Sequence, residues 1–288
     1  MLDGYLARIG LTHRPDSSPE GLAELQRAHR MAIGFENFDV MLGRAIRLDL
    51  ASVWAKLGAR RGGYCFEHNA LFGAMVEHLG LPNRPLLARV WLGLGGPDSP
   101  DAALAPPLVH TLRLVRIGDE TWLADAGFGG SYVPPLPLVD GARAETPDGA
   151  RHRLVRREAA GDGSPPDGLG DWLIERIGPA TATDGRTVTS DAWAPQYSFA
   201  LTAVAPLDLE LGNWWASTRP ETRFTQACRA SIVLPDGFAS LNGTRLSRHV
   251  GGTGEVIDLT NAEDWRAALA DLFQVELSRD EVARLDLF

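Results

Sequence analysis

The chain has 288 residues, of which 44% are hydrophobic and 23% charged, and its formal net charge is −9. This composition is typical of a globular protein with two or three compact lobes, and it excludes a disordered or fibrous one. The acidic balance argues against a protein that coats nucleic acid or an anionic membrane. No apolar run reaches the ~18 residues of a membrane span, and Met1–Gly10 lack a signal-peptide pattern. We therefore expect a cytoplasmic protein without nucleic-acid or membrane partners.

Hydrophobic periodicity changes along the chain from that of helices to that of strands. The predicted helices lie at Gly21–Ala32, Leu50–Leu57, Cys65–Leu79 and Asn261–Phe273. The predicted strands lie at Leu86–Leu94, Leu108–Arg116, Thr121–Ala126, Tyr197–Val204 and Ser231–Leu234. A helical start followed by a mainly β middle predicts an α+β protein.

A glycine pair precedes the first of the two cysteines, within the segment Arg61–Asn69. Two cysteines are too few for a secreted disulfide scaffold. The predicted helix places Cys65 at its N-terminus, where the helix dipole and free backbone N–H groups favour the thiolate. The same N–H groups are suited to stabilise an oxyanion. Cys65 is therefore either a nucleophile or a small core residue behind a tight turn.

A predicted β-hairpin supplies the partners that a cysteine nucleophile needs. If its turn is centred between Ile117 and Gly118, His110 and Asp125 lie directly opposite each other. A turn centred one residue later keeps the pair diagonal and within reach, whereas a half-step shift puts Asp125 on the other face. An inward-facing His and Asp on apolar strands need partners. They form either a structural pair or, with Cys65, a catalytic triad.

The segment Gly127–Ser131 follows Asp125 directly and contains three glycines. The exposed N–H groups of such a loop can cradle phosphate oxygens. Since no helix and no Lys-Ser/Thr pair follow, the loop does not predict a nucleotide-triphosphate site. No metal site is predicted, because ligand spacing is lacking among His13, His29, His78, His152 and His249.

Taken in chain order, these segments resemble the arylamine N-acetyltransferase family. The resemblance covers roughly positions 5–230. Its most specific part is the Arg-Gly-Gly-aromatic-Cys block followed by a downstream His and by Asp-Ala-Gly-Phe-Gly. The matching segments are Phe35–Val40, Arg61–Glu67, His110, Asp125–Gly129, and Asn213 with Ser217, Thr218, Pro220 and Phe224.

The resemblance implies a papain-like cysteine core with three lobes. These are a helical bundle at residues 1–83 that carries the nucleophile, a β-barrel at 84–195 that carries the His and Asp, and a C-terminal α/β lid at 196–288. It also implies an enzyme of xenobiotic metabolism that uses acetyl-CoA as cosubstrate and no metal. An acetyl-cysteine would pass the acetyl group by a ping-pong mechanism to an arylamine, arylhydrazine or N-hydroxyarylamine.

Residue roles carried over from the family are as follows. The catalytic residues are Cys65, His110 and Asp125. The residues that meet the cofactor are Gly127, Phe128 and Gly129, and those that line the acceptor pocket are Phe38, Phe128 and Phe199. A buried supporting ion pair joins Glu36 and Arg61.

Three positions depart from the family pattern. Gly34 stands where Pro is usual, His68 where Gln or Asn is commoner, and Arg219 where His is frequent. The departure at Gly34 loosens one turn, and the other two leave donor and cofactor contacts open. His68, three residues beyond Cys65, could also be mistaken for the triad histidine.

Two other functions stay open at this stage. A macrolactam-forming amide synthase would share the Cys-His-Asp triad and differ mainly in pocket size. A noncatalytic acyl-CoA-binding protein would share the scaffold alone. The physiological acceptor, the acyl chain length and the oligomeric state, including a homodimer, also stay open.

Overall fold

The computed structural model describes residues 1–99, 105–157, 168–187 and 191–288. Within them the helices are α1 (Leu2–Arg8), α2 (Pro19–Ala32), α3 (Phe38–Met41), α4 (Leu50–Leu57), α5 (Cys65–His78), α6 (Pro206–Thr218), α7 (Arg223–Gln226), α8 (Ala262–Asp271) and α9 (Arg279–Arg284). The strands are β1 (Phe35–Glu36), β2 (Asn83–Val90), β3 (His110–Ile117), β4 (Glu120–Ala124), β5 (Leu136–Pro137), β6 (Arg143–Glu145), β7 (Arg151–Arg156), β8 (Trp172–Ile177), β9 (Ala194–Phe199), β10 (Arg229–Leu234), β11 (Gly237–Asn242), β12 (Arg245–Val250) and β13 (Thr253–Asp258). The mixture of helices and strands confirms the predicted α+β class.

Local signals explain where the N-terminal helices start. Ser18 precedes α2, and its side chain accepts a hydrogen bond from the Gly21 N–H. Asp49 caps α4 in the same way by accepting from the Ser52 N–H. These helices pack with α5 around a buried apolar cluster that includes Leu22, Leu57 and Phe72. The predicted helices are confirmed, Leu50–Leu57 without change and the others within a few residues.

Eight antiparallel strands form the larger sheet, in the order β5-β4-β3-β2-β9-β8-β7-β6. Its two edge strands, β5 and β6, are joined by residues 138–142 alone, a segment that spans about 20 Å at full extension. The edges must therefore approach each other, and the sheet curls into a nearly closed barrel. Its interior is filled by a cluster that includes Leu86, Leu112, Leu154 and Ile174.

The hairpin of β3 and β4 has its turn one residue later than predicted. Leu114 faces Leu123, so the midpoint lies between Gly118 and Asp119 rather than between Ile117 and Gly118. The shift preserves the faces because the side-chain period of a strand is two residues. His110 and Asp125 are consequently diagonal rather than directly opposite.

Two strands differ most from the sequence prediction. β2 ends at Val90 rather than Leu94, because the chain turns at Gly93, whose φ is +80°. β9 begins at Ala194 and ends at Phe199, and it lies between β2 and β8 inside the barrel sheet. A boundary between residues 195 and 196 would cut this strand, so the barrel extends to Phe199.

The smaller sheet links the two ends of the chain. Its order is β1-β10-β11-β12-β13, so a strand from the N-terminal region pairs with C-terminal strands. Helices α8 and α9 supply Trp265 and Leu269 to the apolar cluster that packs on this sheet. In the described part of the chain, no helix combines the length and apolar character needed to cross a membrane.

Candidate active site

Cys65 is the first residue of α5 and is only 3% exposed. The helix begins here because Tyr64 is extended and its N–H donates to the Glu67 carboxylate at 3.1 Å. The Cys65 thiol lies 3.6 Å from the Val109 carbonyl oxygen, to which it donates. The sulfur therefore sits at the positive end of the helix dipole, against the start of β3.

His110 lies between Cys65 and Asp125. Its Nε2 is 2.6 Å from the Asp125 carboxylate, and Cys65 forms a hydrogen bond with the same imidazole. With Nε2 bound to the acid, Nδ1 is left for the sulfur. The structure thus brings together the three groups that the sequence singled out. In the chain, α5 and β2 separate Cys65 from His110, and β3 and β4 separate His110 from Asp125.

Burial and charge act in opposite directions on the two titrating partners. Burial alone would lower the pKa of His110, but the charge of Asp125, its hydrogen bond and that of Cys65 raise this pKa to about 10. Burial alone would raise the pKa of Asp125, but His110 and hydrogen bonds from Asn69 and the Gly127 N–H hold it below its ordinary value. The pair is therefore an imidazolium and a carboxylate at neutral pH.

Three side chains that the sequence did not assign hold Asp125. Asn69 donates to its Oδ1 at 3.1 Å, Gln26 accepts from its backbone N–H at 2.7 Å, and Tyr197 also forms a hydrogen bond with the carboxylate. Asn69 was detectable, because it follows Cys65 by one helical turn and shares its face. Gln26 and Tyr197 come from distant elements, and no local pattern marks them.

A cavity of about 140 Å³ opens onto the sulfur and the imidazole. The aromatic walls are Phe35, Phe128 and Phe224, and Val90 and Val109 add apolar surface. The Phe128 ring centroid lies 5.3 Å from that of His110. An apolar cavity of about 150 Å³ is large enough for one benzene ring, so this one suits a single aromatic ring.

Two of the three residues predicted to line the acceptor pocket lie elsewhere. Phe38 is fully buried in the C-terminal core, with its ring centroid 5.5 Å from that of Trp265. Phe199 lines a separate cavity of about 540 Å³ between the barrel and α6. Neither residue lines the cavity at Cys65. Of the three predicted pocket residues, Phe128 is the one that does.

The glycines after Asp125 have a packing role. A Cβ atom at Gly127 would lie 2.5 Å from Asn69 and 2.7 Å from the Cys65 carbonyl, and one at Gly129 would lie 2.6 Å from the Phe35 ring. The Gly127 N–H donates to Asp125 at 2.9 Å. Close approach to α5 is what requires glycine at position 127.

His68 belongs to a buried hydrogen-bonded chain and not to the triad. Its Nε2 donates to the Gly34 carbonyl at 3.2 Å, and its Nδ1 accepts from His29 at 2.7 Å. His29 in turn accepts from the Tyr5 hydroxyl at 2.8 Å. Burial lowers the pKa of both imidazoles well below the ordinary value, which matches the neutral forms that this chain requires.

The departures at Gly34 and His68 therefore meet in space. Gly34 presents its carbonyl to His68, and a Cβ there would lie 2.4 Å from the Phe273 carbonyl oxygen. Arg219 stacks instead on an exposed part of α6, with its guanidinium 4.3 Å from the Trp215 ring centroid. None of the three lines the cavity at Cys65.

A group of charged side chains braces the start of α5. Lys56 lies 2.8 Å from both Glu67 and Asp39 and 4.0 Å from Glu36. The predicted pair of Glu36 and Arg61 is present at 3.9 Å, but Arg61 approaches Asp39 more closely, at 2.8 Å. Among the residues that the structure describes, no cluster of His, Cys, Asp or Glu could hold a metal ion.

Comparisons with known proteins agree with this geometry. A family model described as N-acetyltransferase matches residues 19–282. The chain is 33% identical to the arylamine N-acetyltransferase of Mycolicibacterium smegmatis, over 99% of this chain and 96% of that one. It is similar in structure to the arylamine N-acetyltransferase of Salmonella typhimurium (TM-score 0.84, 30% identity, 100% of this chain and 98% of that one).

A second similar protein was solved with CoA bound. The Mycobacterium marinum arylamine N-acetyltransferase in complex with CoA has a TM-score of 0.83 and 31% identity to this chain, with 99% of this chain and 98% of that one covered. The three relatives and the family model extend over all of the elements that build the site. This chain belongs to the arylamine N-acetyltransferase family of acyltransferases.

Proposed function

We propose that this protein transfers an acetyl group from acetyl-CoA to an arylamine, arylhydrazine or N-hydroxyarylamine by a ping-pong mechanism through Cys65. The observation that carries this proposal is the contact of one imidazole with both a thiol at a helix N-terminus and a buried carboxylate. The arrangement is papain-like, since the nucleophile lies on a helix and its base on the adjoining strand. The C-terminal strands and helices act as the lid.

The first half-reaction transfers the acetyl group to the protein. The Cys65 thiolate attacks the thioester carbonyl, while backbone N–H groups at the start of α5 stabilise the oxyanion. The bond from the carbonyl carbon to the CoA sulfur breaks, and CoA leaves as a thiol with the proton held by His110. Phe128 and Gly129, which line the cavity, are the residues we expect beside the cofactor.

The second half-reaction transfers the acetyl group to the acceptor. An aromatic amine has low basicity, so its nitrogen is unprotonated at neutral pH and can attack the acetyl-cysteine. His110 accepts the proton of the attacking amine, and the Cys65 thiolate leaves. Asp125 keeps the imidazole oriented throughout, as its hydrogen bonds to Asn69 and Gly127 hold it in place. A cavity sized for one ring does not favour the macrolactam alternative.

The two cysteines provide a matched test of the first half-reaction. Incubation with acetyl-CoA should add the mass of one acetyl group to the intact protein. Cys65→Ala should abolish this adduct. Cys228→Ala should keep it, because Cys228 is fully buried in the C-terminal core and burial raises its pKa to about 12. An adduct that survives Cys65→Ala would rule out the mechanism.

A further inference from the structure

Part of the lining of the Cys65 cavity carries a concentration of positive charge. Arg186, Arg223 and Arg229 all line the cavity, and Asp184 is the one acidic residue that lines it among those described. Three guanidinium groups against one carboxylate leave an excess of two positive charges. Such an excess at a partly desolvated site is costly unless an anion neutralises it.

The ion pairs within this cluster do not remove the excess. Arg186 and Arg223 both lie 2.8 Å from the same oxygen of Asp184. Arg229 donates to neutral oxygens, those of the Asn242 side chain and the Arg223 carbonyl. No carboxylate lies within ion-pair distance of Arg229 in the described ranges.

The pKa of Arg223 also reflects the crowding of positive charges in this cluster. Its pKa falls to about 9, chiefly because the guanidinium is buried; Asp184 opposes this fall, and the like charges of Arg186 and Arg229 add to it. An anion bound beside Arg223 would counteract the lowering of its pKa by Arg186 and Arg229. The side chains of Arg186 and Arg223 are each 26% exposed, so a ligand in the cavity can reach them.

The cluster is fixed in position before any ligand arrives. The Asp184 N–H donates to the Gly130 carbonyl at 2.9 Å, and its own carbonyl accepts from Asn242 on β11 at 3.1 Å. Arg229 begins β10 and Arg223 begins α7. The charges are therefore held by barrel, helix and smaller sheet together, which lowers the entropic cost of binding an anion.

The lining of the cavity thus combines two chemically distinct sets of side chains, aromatic rings and guanidinium groups. We propose that Arg186, Arg223 and Arg229 form a subsite for a carboxylate on the acceptor, so that the protein prefers aromatic amines that carry an acid group on the ring. This proposal rests on the proposed function. It makes the three arginines specificity-determining residues for the second half-reaction.

The test compares two acceptors with the same ring and amine. Wild type should use 4-aminobenzoate with a kcat/KM about tenfold or more above that for 4-aminobenzamide, which is neutral, because a charge-assisted hydrogen bond contributes about that factor. Arg223→Gln and Arg186→Gln should each lower this ratio by about tenfold. Since both acceptors are measured on each variant, differences in amine reactivity cancel.

Controls separate specificity from folding. Arg153→Gln removes an arginine that is also partly buried and paired, at 2.6 Å from Glu175, but lies on β7 outside the cavity; its ratio should equal that of wild type. Arg186→Gln leaves Asp184 paired with Arg223, so it remains informative if Arg223→Gln does not fold. Competitive inhibition by benzoate, which lacks the amine, should weaken in both cavity variants.

Three outcomes would overturn the proposal. The first is a ratio near one in wild type, or a ratio that both cavity variants leave unchanged. The second is a rise in KM for acetyl-CoA with an unchanged ratio, which would assign the arginines to the cofactor phosphates. The third is a preference for malonyl-CoA over acetyl-CoA that the variants abolish, which would place the carboxylate on the acyl group. A wild-type protein that forms no acetyl-cysteine would refute the proposed function itself.

Discussion

His110 is the residue whose charge matters most to the site. Burial ordinarily lowers the pKa of an imidazole, but Asp125 and Cys65 favour the protonated form of His110 and raise its pKa to about 10. The unfolded chain, by contrast, binds this proton only below a pKa of about 6.5. The pair therefore stabilises the fold fully below that pH, and its contribution is lost as the pH rises through the folded-state pKa.

The difference between the folded-state and unfolded-state pKa of His110 predicts that the stability of the fold depends on pH. In a Cys65→Ala background, which isolates the pair of His110 and Asp125, the free energy of unfolding should fall as the pH rises above 7, by up to about 1.4 kcal/mol per pH unit. Asp125, the larger cause of the shift, is retained in this background. Urea denaturation at several pH values measures the slope.

The control replaces the titrating group. Adding His110→Asn to Cys65→Ala should remove most of this slope while leaving all other titrating groups in place. Equal slopes in the two proteins would show that His110 is neutral in the folded state, in conflict with its hydrogen bond to the Asp125 carboxylate.

At the scale of elements, contact between the loop after β4 and the start of α5 decides the geometry of the site. Gly127 lies so close to this helix that a Cβ atom would meet Asn69 and the Cys65 backbone. The same glycine donates its N–H to Asp125. The loop therefore sets both the position of the acid and its distance from the nucleophile.

Gly127→Ala should move the loop away from α5 and slow acetylation of Cys65 by about 100-fold, the size of effect that a displacement of about 1 Å can have. The rate of adduct formation under single-turnover conditions measures this. Gly4→Ala is the control. Gly4 lies in α1, and a Cβ atom there would lie 3.4 Å from the Trp54 ring, an ordinary van der Waals distance. This variant should keep the wild-type rate. A rate within twofold of wild type for Gly127→Ala would contradict the packing role.

Elements with local signals were predictable from the sequence, and their exact registers were not. The capped helix at Leu50–Leu57 and the helix that begins at Cys65 follow from nearby residues. The β3–β4 turn lies one residue later than predicted, because Gly118 and Asp119 form its two central residues, with Gly118 at a φ of +58°. Side-chain alternation still brought His110 and Asp125 to one face.

The surroundings of the site depend on long-range packing, which periodicity does not reveal. Gln26 reaches the Asp125 backbone from α2, 99 positions away. Phe38 turns into the C-terminal core instead of the cavity, because Trp265 of α8 packs against it. The family resemblance supplied residue roles, but it did not indicate which aromatic rings face the sulfur in this chain.

At the scale of the whole molecule, a charged network connects the helical region with the C-terminal segment. Lys56 bridges Glu67 of α5 and Asp39 of α3. Arg44 lies 2.6 Å from Glu281 of α9. Burial alone would lower the pKa of Lys56, but Glu36, Glu67 and Asp39 raise it above its ordinary value. Lys56 is therefore a largely buried cation, and its loss leaves the buried Glu67 carboxylate without an ion-pair partner in the described ranges, whereas Asp39 keeps Arg44 and Arg61.

Lys56→Met should lower the free energy of unfolding by about 3–5 kcal/mol, the cost of breaking a buried ion pair on one side. Urea denaturation at neutral pH measures this loss. Arg47→Gln is the comparison, because Arg47 and Asp49 form an exposed ion pair that should contribute at most about 1 kcal/mol. A loss for Lys56→Met as small as that for Arg47→Gln would show that the network is dispensable.

The ping-pong mechanism requires that one sulfur receive the acetyl group from one substrate and pass it to another. The most direct measurement isolates the protein acetylated on Cys65, free of acetyl-CoA, and follows its intact mass after addition of an arylamine. We predict that the acetyl mass disappears from the protein at a rate that rises with amine concentration, and that an equal amount of N-acetylated amine forms. Loss of the acetyl group at the same rate with and without the amine would contradict the ping-pong mechanism.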